Sequence, residues 1–129
     1  MNETGQPVVL MVDDEPRILS ALVRALRREG YELLTAESPQ EALRMAEQHP
    51  IDCVLSDHRM PGMTGIELLE RIAARRPRAA RLLITGWNTE IPVSELERLG
   101  VRHVLSKPWK DADLKQELRA ALGDACASR

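Results

Sequence analysis

Short apolar runs alternate with amphipathic stretches five times along the chain. The runs fall at 8–12, 33–36, 53–56, 81–85 and 101–106, each of strand length. The first, third and fourth are nearly continuous rather than alternating, which is how strands buried on both faces read. Between them, Ile18, Leu19, Leu22, Val23 and Leu26 repeat at helical spacing, with Pro16 in the first turn and Gly30 as the stop. Ser38 with Glu41 resembles a capping box, and Pro39 suits the first helical position. Ile66, Leu69, Ile72 and Ala73 mark a third helix that ends before Pro77. A short fourth helix is expected at 91–99, closed by Gly100. Leu114, Leu118, Ala121 and Leu122 mark a fifth, entered through Asp111.

Five strand–helix units predict an α/β domain with a parallel sheet and helices on both faces, because crossovers between parallel strands are right-handed. Ligands in such sheets gather at the carboxyl ends of the strands, where strand order reverses. The residues at those ends are Asp13 and Asp14, Asp57, Thr85 and Lys107.

Composition narrows the class. A chain of 129 residues is the size of one domain, and 43% hydrophobic with 29% charged residues reads as globular. A net charge of −2 gives no global field favouring nucleic acid, and no helix-turn-helix region is visible, so direct nucleic-acid binding is not expected. Arg24, Arg27 and Arg28 form one basic group, and Arg71, Arg75, Arg76, Arg78 and Arg81 another. They read as solvated helix faces and a loop, with an acidic partner surface as the alternative. Cys53 lies in an apolar run and Cys126 in a small-residue tail, which suggests neither a disulfide framework nor a zinc site. The sequence has no signal-peptide pattern and no apolar run long enough to span a membrane. A cytoplasmic location is the expectation, with no membrane partner.

Each residue at the strand ends has an ordinary explanation. Asp14 or Glu15 could cap the first helix, Asp57 could be a turn acid before Pro61 and Gly62, Thr85 a strand residue and Lys107 a solvated lysine. Their joint placement changes the reading. Carboxylates crowded in one crevice repel by roughly 4 kcal/mol per close pair at an intermediate dielectric, so a cation or a proton must compensate. An all-oxygen site of carboxylates suits Mg²⁺, with Mn²⁺ as a substitute. Lys107 supplies a positive charge for Asp57 or an added phosphoryl group, and Thr85 a hydroxyl donor. Those parts meet the needs of phosphoryl transfer to a carboxylate.

Asp13-Asp14, the run from Ser56 and Asp57 through Pro61 and Gly62 to Gly65, Thr85-Gly86 and Lys107-Pro108 together resemble response-regulator receiver domains. The resemblance covers nearly the whole chain. It implies a doubly wound, flavodoxin-like five-stranded parallel sheet in the order 2-1-3-4-5, with 1–6 as an N-terminal extension, 7–122 as the receiver and 123–129 as a tail or linker start. It also implies that Asp57 accepts phosphate from a sensor histidine kinase or phosphotransfer protein. Asp14 would bind magnesium directly, Asp13 through water and Arg59 through its backbone carbonyl. Lys107 would contact the phosphoryl group, Thr85 would swing toward it, and Gly86 would leave room beside it. The product would be a signalling switch rather than an enzyme, acting on an output domain or partner protein, with a homodimer left open. The run after Asp57 and the Lys-Pro-Trp sequence look like receivers of hydrogenase-type transcriptional activators or cyclic-dinucleotide phosphodiesterases.

One position departs from the family pattern. Val104 stands where receivers carry the Tyr or Phe that moves with the switch threonine. That departure favours the alternative of a phosphate-independent interaction module and puts the usual coupling in doubt. His103 reads as a strand or loop histidine, or as a polar surface contact in place of the aromatic. Trp87 and Trp109 should lie at the rim of the site as hydrophobic cover or partner anchors. Arg59 and Trp87 would overhang the phosphoryl group and restrict attacking water. A dehalogenase-like phosphatase, the competing enzyme class, needs an acid where Arg59 stands and room for a cap insertion.

Overall fold

A computed structural model describes residues 1–86 and 91–127, with the side chains of the last helix described as far as 123. Strands β1 (Val8–Val12), β2 (Glu32–Ala36), β3 (Cys53–Asp57), β4 (Ala80–Gly86) and β5 (Val101–Lys107) alternate with helices α1 (Pro16–Leu26), α2 (Pro39–Gln48), α3 (Gly65–Arg75), α4 (Val93–Arg98) and α5 (Asp111–Ala127). All pairings are parallel and the strand order is β2-β1-β3-β4-β5, as expected. Successive side chains of a strand point to opposite faces, so the sheet divides the apolar residues into two cores. Val8, Leu10, Val12, Val54 and Leu83 pack with Ile66, Leu69 and Ile72 of α3. Val9, Met11, Leu55, Leu82 and Ile84 pack with Leu19 and Leu22 of α1 and Leu114 and Leu118 of α5. Fully burying a side chain of this size contributes roughly 1.5–3 kcal/mol, and β1 and β3, buried at every position, are the centre of both cores.

Helix starts follow local chemistry. The Ser38 hydroxyl accepts from the Glu41 N–H at 3.1 Å, but the Glu41 carboxylate receives the N–H of Glu37 rather than of Ser38, so only half of the capping box forms. Thr64 caps α3 in the same way through the Glu67 N–H at 3.2 Å. Helix α4 is shorter than expected because Pro92, with extended ψ, holds its start to Val93. Helix α5 runs on past Leu122 to Ala127. Residues 2–6 fold back on themselves around the Asn2 side chain, whose amide donates to Glu32. At the amino end of β3, Asp52 is 2% exposed and accepts the Val8 N–H at 2.8 Å and the chain's terminal ammonium.

Candidate functional site

The pairing of Val12 with Ser56 brings the ends of β1 and β3 together, so Asp13 and Asp57 leave the two central strands side by side. Asp13 is 1% exposed and Asp57 7%, whereas Asp14 is exposed in the turn to α1. One carboxylate oxygen from each lies within 4.8 Å of the others. Neither Asp14 nor Glu15 caps α1 through its side chain; instead Asp13 accepts the Glu15 N–H at 2.9 Å. Pairing of Gly86 with Lys107 carries the lysine to the same edge. Its Nζ donates to Asp13 Oδ2 at 2.9 Å and lies 3.3 Å from Asp57 Oδ1.

The charges respond to this crowding. Burial pushes the Asp57 carboxyl above the usual carboxylate range and the Asp13 charge adds to it, against the lowering effect of Lys107 and of the His58 N–H. Burial alone would lower the Lys107 ammonium. Its hydrogen bond to Asp13 and the charges of both acids outweigh that and raise it, so the lysine stays charged. A half-buried pocket of three acids and one ammonium carries an excess of negative charge. Its donors are all oxygen, the chemistry that a hard divalent ion requires.

Thr85 is buried at the end of β4, beside Ile84, which pairs with Asp57. Arg59 is exposed in the β3–α3 turn. Among the described residues, a Cβ at Gly86 would meet nothing within 4 Å. Trp87 lies outside the described residues. Trp109 is partly buried against the α1/α5 core, donates to Asp111 at 3.1 Å and lies between two grooves of about 450 and 600 Å³, the larger also lined by Lys107. Trp109 therefore packs as hydrophobic cover, in a groove that it shares with Lys107 but with none of Asp13, Asp14 and Asp57. Val104 packs partly buried against the α2/α3 core, and His103, exposed, faces Glu117 at 3.6 Å on α5. Cys53 is fully buried with its thiol pushed up to about 12, which makes it inert.

Three features were not legible in the residues alone. A Cβ at Gly65 would lie 2.4 Å from the Asp57 carbonyl oxygen and 2.9 Å from His58 Cα, so α3 begins in contact with the backbone of the acidic cluster. Among the described residues His58 Nδ1 is buried without a hydrogen-bond partner, and burial followed by the Arg59 charge pushes the imidazole below its ordinary value, leaving it neutral at pH 7. The Ser56 hydroxyl donates to the Asp57 carbonyl at 2.8 Å. The proximity of Gly65 could be suspected from a glycine opening a helix, but nothing in sequence spacing signals the other two.

Acids and a lysine gathered at the carboxyl edge of a doubly wound parallel sheet define the receiver class of signalling domains. The family model described as the response regulator receiver domain matches residues 9–119, and the chain belongs to that family. It is similar to the hydrogenase transcriptional regulatory protein HoxA of Cupriavidus necator, 36% identical over 118 residues, covering 91% of this chain and 24% of that protein. It is also similar to the transcriptional regulatory protein KdpE of Mycobacterium tuberculosis, 34% identical over 115 residues, covering 89% and 50%. The chain thus spans about a quarter of one of these regulators and about half of the other. Among solved structures, the signal receiver domain of an HD domain-containing protein from Pseudomonas fluorescens Pf-5 matches with a TM-score of 0.89 at 32% identity, covering 95% of this chain and 98% of that one. A CheY-like response regulator receiver protein from Methanospirillum hungatei matches at 0.90 with 27% identity, covering 97% and 100%. Among the described residues no helix is long and apolar enough to cross a membrane.

Proposed function

We propose that this receiver takes a phosphoryl group on Asp57 from a histidine kinase or phosphotransfer protein, in a magnesium-dependent reaction, and passes the signal to an output domain or partner. The observation that carries the reading is the convergence of Asp13, Asp14 and Asp57 within 4.8 Å, with the Lys107 ammonium 2.9 and 3.3 Å from the two buried acids. A carboxylate oxygen of Asp57 attacks the phosphorus of a phosphohistidine, the P–O bond forms as the P–N bond breaks, and the imidazole leaves with its electron pair. Asp13 and Asp14, with Asp57 and the Arg59 carbonyl, would hold Mg²⁺ or Mn²⁺, whose charge neutralises the phosphoryl oxygens. The Lys107 ammonium, bonded to Asp13 and 3.3 Å from Asp57, would balance the added anion. Thr85 offers its hydroxyl to another phosphoryl oxygen from the end of β4.

The acyl phosphate carries about −1.5 to −2 charge where the carboxylate carried −1, a net gain of about −0.5 to −1 at a buried strand end, and it acts by biasing two conformations of the surrounding elements. Helix α4 buries no residue completely, with Leu96 packed only partly buried against the α2/α3 core, so it is the element on which we place the shift. The relatives named as transcriptional regulators supply the class of output, while nucleic-acid contact by residues of this chain forms no part of the reading. Phosphorylation with a small phosphodonor in magnesium, read by intact mass, tests it. The parent should gain one phosphoryl group and Asp57→Asn none. Equal labelling of both proteins refutes Asp57 as the acceptor.

A further inference from the structure

Helix α4 is six residues long and starts after Pro92 without a side-chain cap. Its apolar hold on the core is Leu96, partly buried, with Leu99 buried just past its end. Val93, at its start, is 66% exposed. Partial burial leaves part of the hydrophobic stabilisation unrealised, so polar contacts have a larger share in fixing this helix than they have elsewhere in the fold.

Arg98, in the last turn of α4, supplies such contacts. Its Nη1 donates to Glu70 Oε1 of α3 at 3.1 Å, and its Nη2 donates to Glu95 Oε2 of its own helix at 2.8 Å. Among the described residues, the bond to Glu70 is the one side-chain hydrogen bond from α4 to another helix or strand. The guanidinium is a rigid fork. Its contact with Glu95 already turns it toward α3, so little side-chain freedom is left to lose when Glu70 is engaged. All three side chains are about half exposed, which limits such a bridge to a few-fold effect.

Glu70 sits on a firmly held element. Helix α3 buries Ile66, Leu68, Leu69 and Ile72. It opens at Gly65, whose N–H donates to the His58 carbonyl at 2.7 Å and where a Cβ would collide with the Asp57 carbonyl oxygen. The bridge therefore ties a loosely held helix to the one that abuts the acidic cluster.

We propose that the Arg98–Glu70 bridge is an autoinhibitory latch: it favours the position that α4 holds in the unmodified protein, and the phosphorylated arrangement must break it. This rests on the reading of Asp57 as the acceptor and names what opposes the shift of α4. A group on Asp57 that favours a moved α4 binds against the latch. By linkage it binds more tightly once the latch is cut, by the factor the latch contributed. A bridge that merely stabilised the fold would give no such gain.

The test titrates the parent, Glu70→Ala and Glu47→Ala with beryllofluoride, a mimic of a phosphoryl group on a carboxylate, in saturating magnesium. Glu47 pairs with Arg75 at 2.9 Å between α2 and α3, an exposed bridge that leaves α4 out. Glu70→Ala should bind the mimic roughly two- to fivefold more tightly, and without metal its amides at 93–98 should exchange faster. Glu47→Ala should match the parent in both measurements. The gain should vanish at about 1 M salt, where the screening length is roughly 3 Å. Equal or weaker binding by Glu70→Ala overturns the proposal, as does the same gain in Glu47→Ala or a gain that survives high salt. A parent that does not take the mimic defeats the acceptor reading and the latch with it. A parent that takes it, beside a Glu70→Ala that binds no better, defeats the latch alone.

Discussion

Removing the charge of Asp57 should make the metal-free protein more stable. The carboxylate is 7% exposed and within 4.8 Å of two others. At an effective dielectric of about 20, repulsion from buried Asp13 at that distance is roughly 3.5 kcal/mol. Asp14 is exposed, and water reduces its share to about 1 kcal/mol. Attraction to Lys107 at 3.3 Å returns roughly 5 kcal/mol, so the Coulomb terms nearly cancel. Desolvation of the charged carboxylate then decides the sign, in keeping with the upward push on its titration. Asp57→Asn should gain about 1 kcal/mol, a rise in melting temperature of roughly 3–6 °C for a chain of this size. The assay is thermal unfolding in chelator at pH 7, repeated at lower pH and in excess magnesium. Because the folded-state value lies above the unfolded one, the parent's penalty is full above the folded value and is relieved as pH falls through it toward 3.8. The two melting curves should therefore converge in acid. Magnesium at a hundred times its dissociation constant would add about 2.7 kcal/mol to the parent and less to the variant, which has lost one ligand. A variant that melts at or below the parent in chelator, with a gap indifferent to pH and magnesium, refutes the reasoning.

Other outcomes follow from the same contacts. Lys107→Met should slow labelling by a small phosphodonor roughly a hundredfold, as loss of a charge-stabilising donor does, while an isothermal titration should find magnesium bound more tightly. Gly65→Ala should cost roughly 2–3 kcal/mol in denaturant unfolding, because the methyl would meet backbone atoms of Asp57 and His58 that cannot yield as a flexible side chain would. Asp52→Ala should cost roughly 2–3 kcal/mol through the stranded Val8 N–H. Its labelling rate should match the parent's, since Asp52 lies at the opposite end of β3 from the acid cluster.

The sequence disclosed the fold well because its signals are local and repeated. Continuous apolar runs mark strands covered on both faces, and the structure buries all of β1 and β3. The boundaries were less legible where one residue overrides the periodicity, as Pro92 does at the start of α4. Asp13, Asp57 and Lys107 could be grouped in advance because strand ends in a parallel sheet share one edge. What escaped was anything set by backbone direction: the bond from Ser56 to the Asp57 carbonyl, the contact distance at Gly65 and the buried Nδ1 of His58. Asp52 escaped for a related reason, since a carboxylate bonded to a main-chain N–H has no sequence partner to betray it.

The ion pair between Lys107 and Asp13 joins positions 94 residues apart. Lys107 belongs to β5, an outer strand held by one neighbour, whereas the carboxylates lie at the ends of strands enclosed on both sides. Fraying of that margin would withdraw the ammonium and leave the acids assembled. A partly opened molecule would then still attract cations yet be poorly equipped to keep an anion. Under the proposed acceptor role, competence to receive a phosphoryl group would be tied to closure of the sheet's last seam, and damage at the rim would silence that role before the interior came apart.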